Sequence, residues 1–459
     1  MSPGTEDTIA AVSTPPGEGG VGMVRLSGPR AVAVAAAVFR SPHGRDIQAR
    51  TRQRVFHGHV VDREGRVLDE VLLHVMRAPH SYTAEDVVEI TGHGGMTPLA
   101  AILDAVLRCG ARPAGPGEFT RRAFLNGRID LSQAEAVIDQ IRARTTEALR
   151  AAGVAASGAL LREIRGFRES LAGVLAHAEA AVDFPDEDLP DLVNDALYAR
   201  LSEARGGMAR LLETAERGRR YREGAMVVVA GRPNVGKSSL FNALLRDRRA
   251  LVSEHPGTTR DTIEETADIG GAPVRLVDTA GIRADGGEVE QMGIRLAREK
   301  LSEADAVLFV IDASRPATGE DGGLARDALA AGVPVLLARN KSDLGVCPLP
   351  DDFPGGFSGM VSVSATTGEG LGELEETMGR MLLGAAPRAG SPMLSRLHQA
   401  DSLRRALECT DRALEVPAAS PELLALELRE ALAALGEITG ETTPEELLDR
   451  IFSEFCIGK

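Results

Sequence analysis

The segment that most constrains the fold of this chain is residues 231–238, which reads Gly-Arg-Pro-Asn-Val-Gly-Lys-Ser. It matches Gly-x-x-x-x-Gly-Lys-Ser, the phosphate-binding P-loop. The apolar run 226–230 before it and the helix-like segment 239–246 after it predict the strand, loop and helix that the motif requires. Loop N–H groups can surround a polyphosphate, while Lys237 reaches its β and γ phosphates and Ser238 can ligate Mg²⁺. The predicted nucleotide contacts in this segment are Asn234, Val235, Gly236, Lys237, Ser238 and Ser239.

Four later segments add the remaining parts of a nucleotide site. The polar stretch that contains Thr258 and Thr259 predicts a switch in which a threonine hydroxyl, from Thr259, joins Ser238 on Mg²⁺. The sequence Asp-Thr-Ala-Gly after the apolar run 274–277 puts a carboxylate near the metal and a glycine N–H near the γ-phosphate. Asn-Lys-Ser-Asp and Ser-Ala follow at the ends of two further apolar runs. The nucleotide contacts predicted from these segments are Thr258, Thr259, Asp278, Thr279, Ala280, Gly281, Asn340, Lys341, Asp343, Ser364 and Ala365.

The order of these segments predicts both a fold and a base preference. Each lies at the end of a strand-like run, and ligands of open α/β sheets bind at the carboxyl ends of the strands. A carboxylate at Asp343 can accept two hydrogen bonds, from N1 and the 2-amino group of guanine, and adenine offers no such pair. The backbone N–H near Ala365 can bind guanine O6. The sequence therefore predicts a mainly parallel P-loop domain that selects GTP.

The hydrolytic machinery departs from that of Ras-like switches. Those proteins place a water-orienting Gln directly after Asp-x-x-Gly, and here the residue is Ile282. Glu290 is a candidate for positioning water, or else a charge at a helix start. Arg260 lies beside the switch threonines and is the other catalytic candidate. Asn234 offers a side-chain oxygen to a cation that could neutralise the developing charge in place of an arginine finger.

Length and composition bound the rest of the chain. At 459 residues it should hold about three domains, and its net charge of −15 does not favour a general electrostatic grip on nucleic acid. The basic cluster at residues 217–222 is interpreted as a solvated helix end beside the nucleotide domain. Four cysteines without paired metal spacing suit a reducing interior. With an acidic start and no long apolar run, the expectation is a soluble cytoplasmic protein without a membrane partner.

Periodicity divides the chain into segments 1–125, 126–222, 223–383 and 384–459. The first alternates strand-like runs, at 22–26, 55–61, 70–75 and 87–90, with one helical segment at 98–108. Helical patterning starts in the second segment and returns in the fourth, which predicts a nucleotide domain inserted into a helical one. Capping boxes are predicted at residues 132–135 and 443–446.

Two charged residues stand out in the strand-like part. Arg25 lies within an otherwise apolar strand, and Glu89 ends another. Each is either a paired surface charge or a ligand group. The glycines between Gly17 and Gly22 precede a strand rather than joining a strand to a helix, which favours a tight strand entry over a dinucleotide-binding loop.

Taken together, the chain resembles the tRNA-modification GTPase family MnmE, also called TrmE, from end to end. The guanine-nucleotide motifs alone indicate only a GTPase, whereas the amino-terminal block and the Cys-Ile-Gly-Lys ending are typical of this family. The segments that carry the resemblance are Asp7-Thr-Ile-Ala-Ala, Thr14-Pro-Pro-Gly, Gly19-Gly-Val-Gly, Tyr82-Thr-Ala-Glu-Asp-Val-Val-Glu, Gly92-His-Gly-Gly, Pro116-Gly-Glu-Phe-Thr, Arg122-Ala-Phe-Leu-Asn-Gly-Arg, Asp183-Phe-Pro-Asp and Phe455-Cys-Ile-Gly-Lys.

The resemblance implies three kinds of domain. A folate-binding α+β domain that also dimerises covers 1–125, a helical domain covers 126–222 and 384–459, and a Ras-like P-loop GTPase covers 223–383. The folate, a 5-formyl or 5,10-methylene tetrahydrofolate, would contact Arg25, Glu89, Arg128 and Lys459. Arg128 departs from the Lys expected there, and the two side chains are not interchangeable. Cys456 lies near this site in the family, and no nucleophilic role is assigned to it.

The family also implies a K⁺ ion in the position of an arginine finger, formed as two GTPase domains meet. Its predicted contacts are Asn234, Ser253, His255 and Thr258, and Glu290 matches the residue that orients water. The implied protein is a homodimer that forms a heterotetramer with a flavoprotein of the MnmG (GidA) family, which alone uses FAD and NADH. Together they would add an aminomethyl or carboxymethylaminomethyl group to C5 of the wobble uridine of certain tRNAs.

Two other functions are compatible with these motifs. The chain could be a ribosome-assembly switch whose first domain docks RNA, although its acidic charge and the lack of an RNA-binding motif disfavour this. It could also be a folate enzyme whose GTPase only regulates assembly. Folate binding by residues 1–125 separates the first alternative from the family reading, and the dependence of modification on GTP hydrolysis separates the second.

Overall fold

The computed structural model describes residues 7–42, 44, 46–48, 54–183, 194–246, 265–278, 303–384 and 390–459. The chain divides into two compact units. The first unit is Met1–Ile138 together with Gly436–Lys459, and the second unit is Asp139–Leu435.

The helices of the described residues, in chain order, are α1 (Ala31–Val38), α2 (Met96–Arg108), α3 (Glu118–Leu125), α4 (Leu131–Arg142), α5 (Thr146–Ala156), α6 (Ala159–Asp183), α7 (Asp195–Leu212), α8 (Ala215–Glu223), α9 (Lys237–Arg246), α10 (Gly319–Leu329), α11 (Leu371–Leu383), α12 (Leu397–Glu415), α13 (Pro421–Thr439) and α14 (Glu445–Ser453). No helix in these ranges is both long enough and apolar enough to cross a bilayer.

The first unit is built on a seven-stranded sheet in the order β3-β4-β5-β6-β2-β1-β7. Adjacent strands run antiparallel except for β1 and β7, which are parallel. This confirms the four strand-like runs and the helix predicted before residue 125. The strands are β1 (Ile9–Val12), β2 (Gly22–Ser27), β3 (Phe39–Arg40), β4 (Arg54–Val61), β5 (Val67–Met76), β6 (Val87–Gly92) and β7 (Arg112–Pro113).

One face of this sheet forms the core of the first unit. Alternate residues of β5, such as Val71, Leu73 and Val75, are buried, whereas Leu72 on the opposite face is 49% exposed. Helices α1 and α2 cover the buried face. Because side chains alternate along a strand, Arg25 of β2 and its register partner Glu89 of β6 lie on the other face.

The carboxy-terminal residues return to this sheet. Phe452 and Phe455 pack with Leu131 in a small apolar cluster that is separate from the main core. Beyond α14, the Lys459 carbonyl accepts a hydrogen bond from the backbone N–H of Phe119 at 3.2 Å. The Ser13 hydroxyl donates to the Gly458 carbonyl at 3.0 Å. Residues far apart in sequence therefore complete one unit.

The first predicted capping box is wrong by two residues. Ser132 lies within the first turn of α4, and its hydroxyl donates to Asp130 at 2.6 Å. Asp130 caps the helix instead, because its carboxylate accepts from the Gln133 N–H at 3.2 Å and its own N–H donates to the Gln133 side chain at 3.1 Å. The reciprocal pair is therefore Asp-x-x-Gln, so Glu135 plays no part in it.

The second predicted capping box is also wrong. Helix α14 starts after Pro444, whose side chain makes no capping hydrogen bond. The Thr443 hydroxyl donates to the Glu437 carbonyl at 2.8 Å, so it closes the preceding turn rather than capping the next helix. Proline fixes the entry to α14 through its backbone angle.

The second unit contains a six-stranded sheet in the order β13-β12-β11-β8-β10-β9. All neighbours are parallel except β9, which pairs antiparallel with β10 at the edge. Helices α9 and α11 cover one face and α10 covers the other. This confirms the predicted mainly parallel α/β fold. The strands are β8 (Ala225–Ala230), β9 (Glu265–Ile269), β10 (Ala272–Asp278), β11 (Ala306–Asp312), β12 (Val335–Asn340) and β13 (Gly359–Ser362).

Helices from before and after this sheet pack on one another. The Tyr198 hydroxyl on α7 donates to the Val416 carbonyl at 2.7 Å, and Arg205 pairs with Asp411 of α12 at 2.8 Å. The helical pattern predicted after residue 132 is divided into α4, α5 and α6, and Gly158 occupies a left-handed conformation (φ 75°) at the break before α6. The α/β part of the second unit is therefore inserted between helices that touch.

The basic cluster at 217–222 is not a solvated helix end, so that interpretation is wrong. Arg219 pairs with Asp305 at the start of β11, and Arg217 donates to the Leu383 carbonyl at 2.5 Å. A Cβ atom on Gly218 would lie 1.8 Å from the Leu394 carbonyl oxygen, so this face of α8 is tightly packed. The arginines therefore attach α8 to the start of β11 and to the end of α11.

Candidate functional site

The P-loop joins β8 to α9 and has the geometry of a phosphate cradle. Gly231 (φ 141°) and Gly236 (φ 92°) adopt angles that favour glycine, and a Cβ atom at either would lie 2.2 Å from a neighbouring atom. The ammonium of Lys237, a residue only 7% exposed, donates to the carbonyls of Gly231 at 2.9 Å and Arg232 at 2.7 Å. The loop is thus folded with its cation in place and leads into a helix N-terminus, where anions bind.

A buried amide ties the P-loop to the loop predicted to bind the base. Asn340 is 1% exposed, and its Nδ2 donates to the Val235 carbonyl at 2.9 Å. Its Oδ1 accepts from the Ala365 N–H at 3.1 Å. Asp343 follows on a single exposed turn, residues Ser342–Leu344. The phosphate and base ends of the predicted site therefore share one side chain.

The predicted strand ends lie along the same edge of the sheet. Asp312 of β11 is the register partner of Asn340 of β12, and Asp278 of β10 is the partner of Val229 of β8. Because these strands are parallel, their carboxyl ends meet where the P-loop lies. This places the ends of four strands along one edge of the sheet, as the order of the motifs predicts.

A second polar site lies on the open face of the first unit. Arg25 and Glu89 form an ion pair at 2.8 Å, with side chains 13% and 17% exposed. The Arg25 guanidinium carbon lies 5.4 Å from the centre of the Tyr82 ring and 5.7 Å from that of Phe119. Arg128 stacks on the same tyrosine at 4.8 Å. Cation–π contacts of this length hold both guanidinium groups beside one aromatic ring.

The carboxy terminus adds a third cation to this site. The Gly458 carbonyl accepts from Arg25 at 3.2 Å. Burial, and then repulsion by Arg25, lowers the pKa of Lys459 from its ordinary value, although Glu89 acts in the opposite sense. The four residues predicted to contact a folate, namely Arg25, Glu89, Arg128 and Lys459, thus lie in one part of the first unit.

The sequence left two interpretations of Arg25 and Glu89, as paired surface charges or as ligand groups, and the geometry has features of both. The two charges pair with each other, as a paired surface charge would, yet both are largely shielded from solvent. They face cations and an aromatic ring rather than open water. A carboxylate and cationic groups around an aromatic ring provide complementary partners for a flat, polar, anionic ligand.

Two sequence models of protein families match the chain. One, "MnmE helical domain", covers residues 131–456, and the other, "GTP-binding protein TrmE N-terminus", covers residues 8–128. The chain belongs to the MnmE family.

Full-length relatives agree with this assignment to the MnmE family. The "tRNA modification GTPase MnmE" of Heliobacterium modesticaldum is 48% identical over 465 residues, which covers 99% of both chains. That of Chloroflexus aurantiacus is 47% identical over 99% of this chain and 100% of its own. That of Geobacter sulfurreducens is 48% identical over 99% of both. As a member of the family the chain is a GTPase, which uses guanine nucleotide and Mg²⁺.

Many of the predicted switch residues lie outside the described part of the chain. They are Ser253, His255, Thr258, Thr259, Arg260, Thr279, Ala280, Gly281, Ile282 and Glu290, together with the side chain of Asp278. The structure therefore places the P-loop and base-loop residues of an MnmE protein. Their assignment to nucleotide contacts stays a prediction, as do the switch assignments.

Three residues in these sites escaped the motif reading. Tyr82 and Phe119 support the Arg25 guanidinium, and Asp312 pairs with Lys341 at 2.7 Å. Tyr82 and Phe119 do lie within segments that resemble the MnmE family. The signal that could have found Asp312 is the one that identified Asp278, namely a carboxylate at the end of an apolar strand.

Proposed function

We propose that this chain hydrolyses GTP to GDP and thereby drives modification of C5 of the wobble uridine in certain tRNAs. The group added is aminomethyl or carboxymethylaminomethyl. The observation that carries the proposal is the preformed P-loop, tied through Asn340 to the base loop, in a chain related over its whole length to tRNA modification GTPases. The tRNA is the substrate class that this relationship implies.

Within the GTPase, each group has a defined task. Lys237 contacts the β and γ phosphates, and the hydroxyls of Ser238 and Thr259 hold Mg²⁺, which neutralises phosphate charge when bound. Glu290 orients the attacking water, since the Ile282 side chain cannot form hydrogen bonds. Arg260, beside the switch threonines, is the second catalytic residue of the proposal. Asn234, with Ser253, His255 and Thr258, holds K⁺, whose charge serves where other GTPases use an arginine finger.

The second site binds a tetrahydrofolate, as a 5-formyl or 5,10-methylene derivative that supplies the carbon. Glu89 accepts hydrogen bonds from the pterin N–H groups, and the cations Arg25, Arg128 and Lys459 contact the anionic remainder. The aromatic ring of Tyr82 and the shielded ion pair support this assignment.

The proposed assembly is a homodimer that forms a heterotetramer with an MnmG (GidA) flavoprotein in the cytoplasm. Only the partner uses FAD and NADH. Opening and closing of the GTPase domains would then gate chemistry elsewhere in the complex. The contacts between α7 and α12 support a mechanical link, because they join a helix that precedes the nucleotide-binding sheet in the sequence to one that follows it.

Mass spectrometry of tRNA nucleosides tests this function. We expect cells that lack the chain to lose the 5-substituted wobble uridines, and the intact gene to restore them. Glu290→Ala should not restore them, since GTP would bind without being hydrolysed. A Glu376→Ala gene is a suitable control because this exposed glutamate lies on α11, outside the segments predicted to contact nucleotide.

Other outcomes favour the alternatives. Unchanged uridines would make the ribosome-assembly switch the better explanation. Restoration by Glu290→Ala, with hydrolysis abolished in the purified protein, would favour a folate enzyme whose GTPase regulates assembly only.

The folate site gives a second prediction. Glu89→Gln should weaken binding of 5-formyltetrahydrofolate about ten- to a hundredfold, since one hydrogen bond to a charged group contributes about 1.5–3 kcal/mol. Isothermal titration calorimetry measures this change. GTP hydrolysis should stay normal, because Glu89 belongs to the first unit and the P-loop to the second.

Glu70→Gln is the matched control for that experiment. Glu70 lies on the neighbouring strand β5 and pairs with His57, with a side chain 57% exposed. Its removal should leave folate affinity within twofold of the original. Equal affinities for the Glu89→Gln and unchanged proteins would show that Glu89 does not read the pterin ring.

A further inference from the structure

Two residues with strained backbone angles in the predicted nucleotide site, Asn234 and Lys341, are joined by a hydrogen bond from the side chain of one to the backbone of the other. Asn234 (φ 63°) and Lys341 (φ 65°) are in the left-handed region that residues with a side chain seldom adopt. Within the described ranges, Ala84 is the only other residue besides glycines with a positive φ. The Lys341 ammonium donates to the Asn234 carbonyl at 2.9 Å. Such conformations persist where surrounding contacts enforce them, so these contacts identify what holds the site in shape.

The side chain of Lys341 is held in place by Asp312. Its Oδ2 lies 2.7 Å from the Lys341 ammonium, and its Oδ1 accepts from the Ser314 N–H at 3.0 Å and hydroxyl at 2.6 Å. The Asp312 side chain is 16% exposed and that of Lys341 is 32% exposed. The carboxylate is therefore fixed at both oxygens, with the ammonium bridging it to the P-loop.

The charge state of this carboxylate agrees with its geometry. Burial alone would raise the pKa of Asp312, but the hydrogen bonds from Lys341 and Ser314 outweigh it, and the pKa lies below its ordinary value. The group is ionised at neutral pH. Its strand position is equally fixed, because Asp312 pairs in register with Asn340, which precedes Lys341.

We propose that Asp312 is a positioning residue that acts through Lys341 on both ends of the nucleotide site. At one end it holds the Lys341 side chain where it can lie along the guanine. At the other it fixes the carbonyl of Asn234, and hence the direction of the Asn234 side chain that offers an oxygen to K⁺. The second part rests on the proposed function, in which K⁺ binds at Asn234.

This arrangement makes a specific connection between two ligands. In this proposal neither the base nor the monovalent cation contacts Asp312, and both depend on the one ammonium that it anchors. A change at Asp312 should therefore weaken guanine nucleotide and K⁺ together. A residue that only stabilises the sheet would lower the amount of folded protein without shifting the K⁺ concentration that gives half-maximal activity.

The test compares Asp312→Asn with the unchanged protein. Asparagine keeps the shape of the side chain but loses its charge, so we expect the Kd for fluorescent GDP to rise about tenfold. In a titration of KCl against NaCl at constant ionic strength, the half-saturating K⁺ concentration should rise by a similar factor, and it should change more than kcat does. Asp327→Asn, on the exposed side of α10, should change neither quantity.

A double-mutant cycle shows whether the effect passes through Lys341. In a Lys341→Ala background, Asp312→Asn should have no further effect on GDP affinity, because the ammonium that it anchors is gone. Additive losses of GDP affinity in the double variant would overturn the inference. An unchanged GDP affinity in the Asp312→Asn protein would overturn it as well. Weaker GDP binding with an unshifted K⁺ response would refute the role at Asn234.

The same data separate this inference from the proposed function. If the unchanged protein hydrolyses GTP equally fast in KCl and NaCl, the K⁺ site is wrong, and with it the cation half of the inference. The GDP affinities and the double-mutant cycle then decide the remaining half, since neither requires K⁺. Thermal melts of each variant show whether the protein is folded at the temperature of the assay.

Discussion

Asp343→Asn should lower the affinity for GTP about 10²- to 10⁴-fold and should create a preference for xanthosine triphosphate. Two hydrogen bonds to a charged group contribute about 3–6 kcal/mol together, which gives that factor. Guanine donates to the carboxylate from N1 and from its 2-amino group. Xanthine carries a carbonyl oxygen at position 2, so the asparagine amide can donate there while its oxygen accepts from N1. Asp343 lies on an exposed turn.

Titration with fluorescent GDP and with fluorescent xanthosine diphosphate measures this switch. The exposed Asp351, in the loop between β12 and β13, provides the control substitution Asp351→Asn, for which both affinities should be unchanged. If Asp343→Asn still preferred GDP, the carboxylate at this position would not be what recognises guanine. The P-loop itself would remain, since Asn340 rather than Asp343 connects it to the base loop.

Arg122→Ala should destabilise the first unit by about 3–5 kcal/mol, because it removes the cation from a buried ion network. The Arg122 side chain is 4% exposed and pairs with Asp7, with Glu85 at 3.2 Å and with Glu118 at 3.1 Å. Arg112 contacts two of these carboxylates as well, at 2.6 Å each. Loss of Arg122 would leave several partly buried negative charges facing one another.

Hydrogen exchange of α3 amides across a urea series measures the free energy of opening this unit. The control is Arg121→Ala on the same helix, whose partners Glu445 and Asp449 are 66% and 58% exposed, so its cost should be about 0–1 kcal/mol. Equal losses for the two variants would contradict the prediction.

The same network predicts a loss of stability in acid. Burial would raise the pKa of Glu118, but hydrogen bonds from Arg112, the Gly115 N–H and Arg122 lower it on balance, and the pKa of Asp7 is also lowered. A lowered pKa in the folded state gives stability that is complete above the unfolded pKa of the carboxyl and is lost as pH falls through the folded one. The unchanged protein should therefore lose this contribution below about pH 4.5, whereas Arg122→Ala should lose less there, because it keeps only the share that comes from Arg112 and the Gly115 N–H.

The nucleotide-binding fold was predictable because its sequence signals are local. The run before Gly231 forms β8, and the helix starts at Lys237, within two residues of the predicted position. Asn340 ends β12 and Asp343 lies on the turn after it, at the carboxyl end of the strand where the motif predicts them. The order of these local signals was therefore enough to predict the fold.

Contacts between distant residues were harder to predict. The arginines of α8 resemble a solvated cluster until their partners at Asp305 and Leu383 are known, and those partners lie far along the chain. The α4 cap was misassigned because Ser132 with Glu135 and Asp130 with Gln133 fit the same rule, and only the helix start at Leu131 separates them. Aromatic support of Arg25 by Tyr82 likewise depends on tertiary packing.

The hydrogen bond between Ser13 and Gly458 joins residues 445 positions apart, and this has a consequence during translation. At about 5–20 residues per second, roughly 20 to 90 s separate the synthesis of the two residues. All of Asp139–Leu435 leaves the ribosome in that interval, so the second unit can fold before the first is complete. Until then the apolar residues around Leu131 lack their partners Phe452 and Phe455, and they expose apolar surface that a ribosome-associated chaperone could bind. A premature stop codon after residue 435 would release an intact nucleotide-binding unit attached to an unfinished partner.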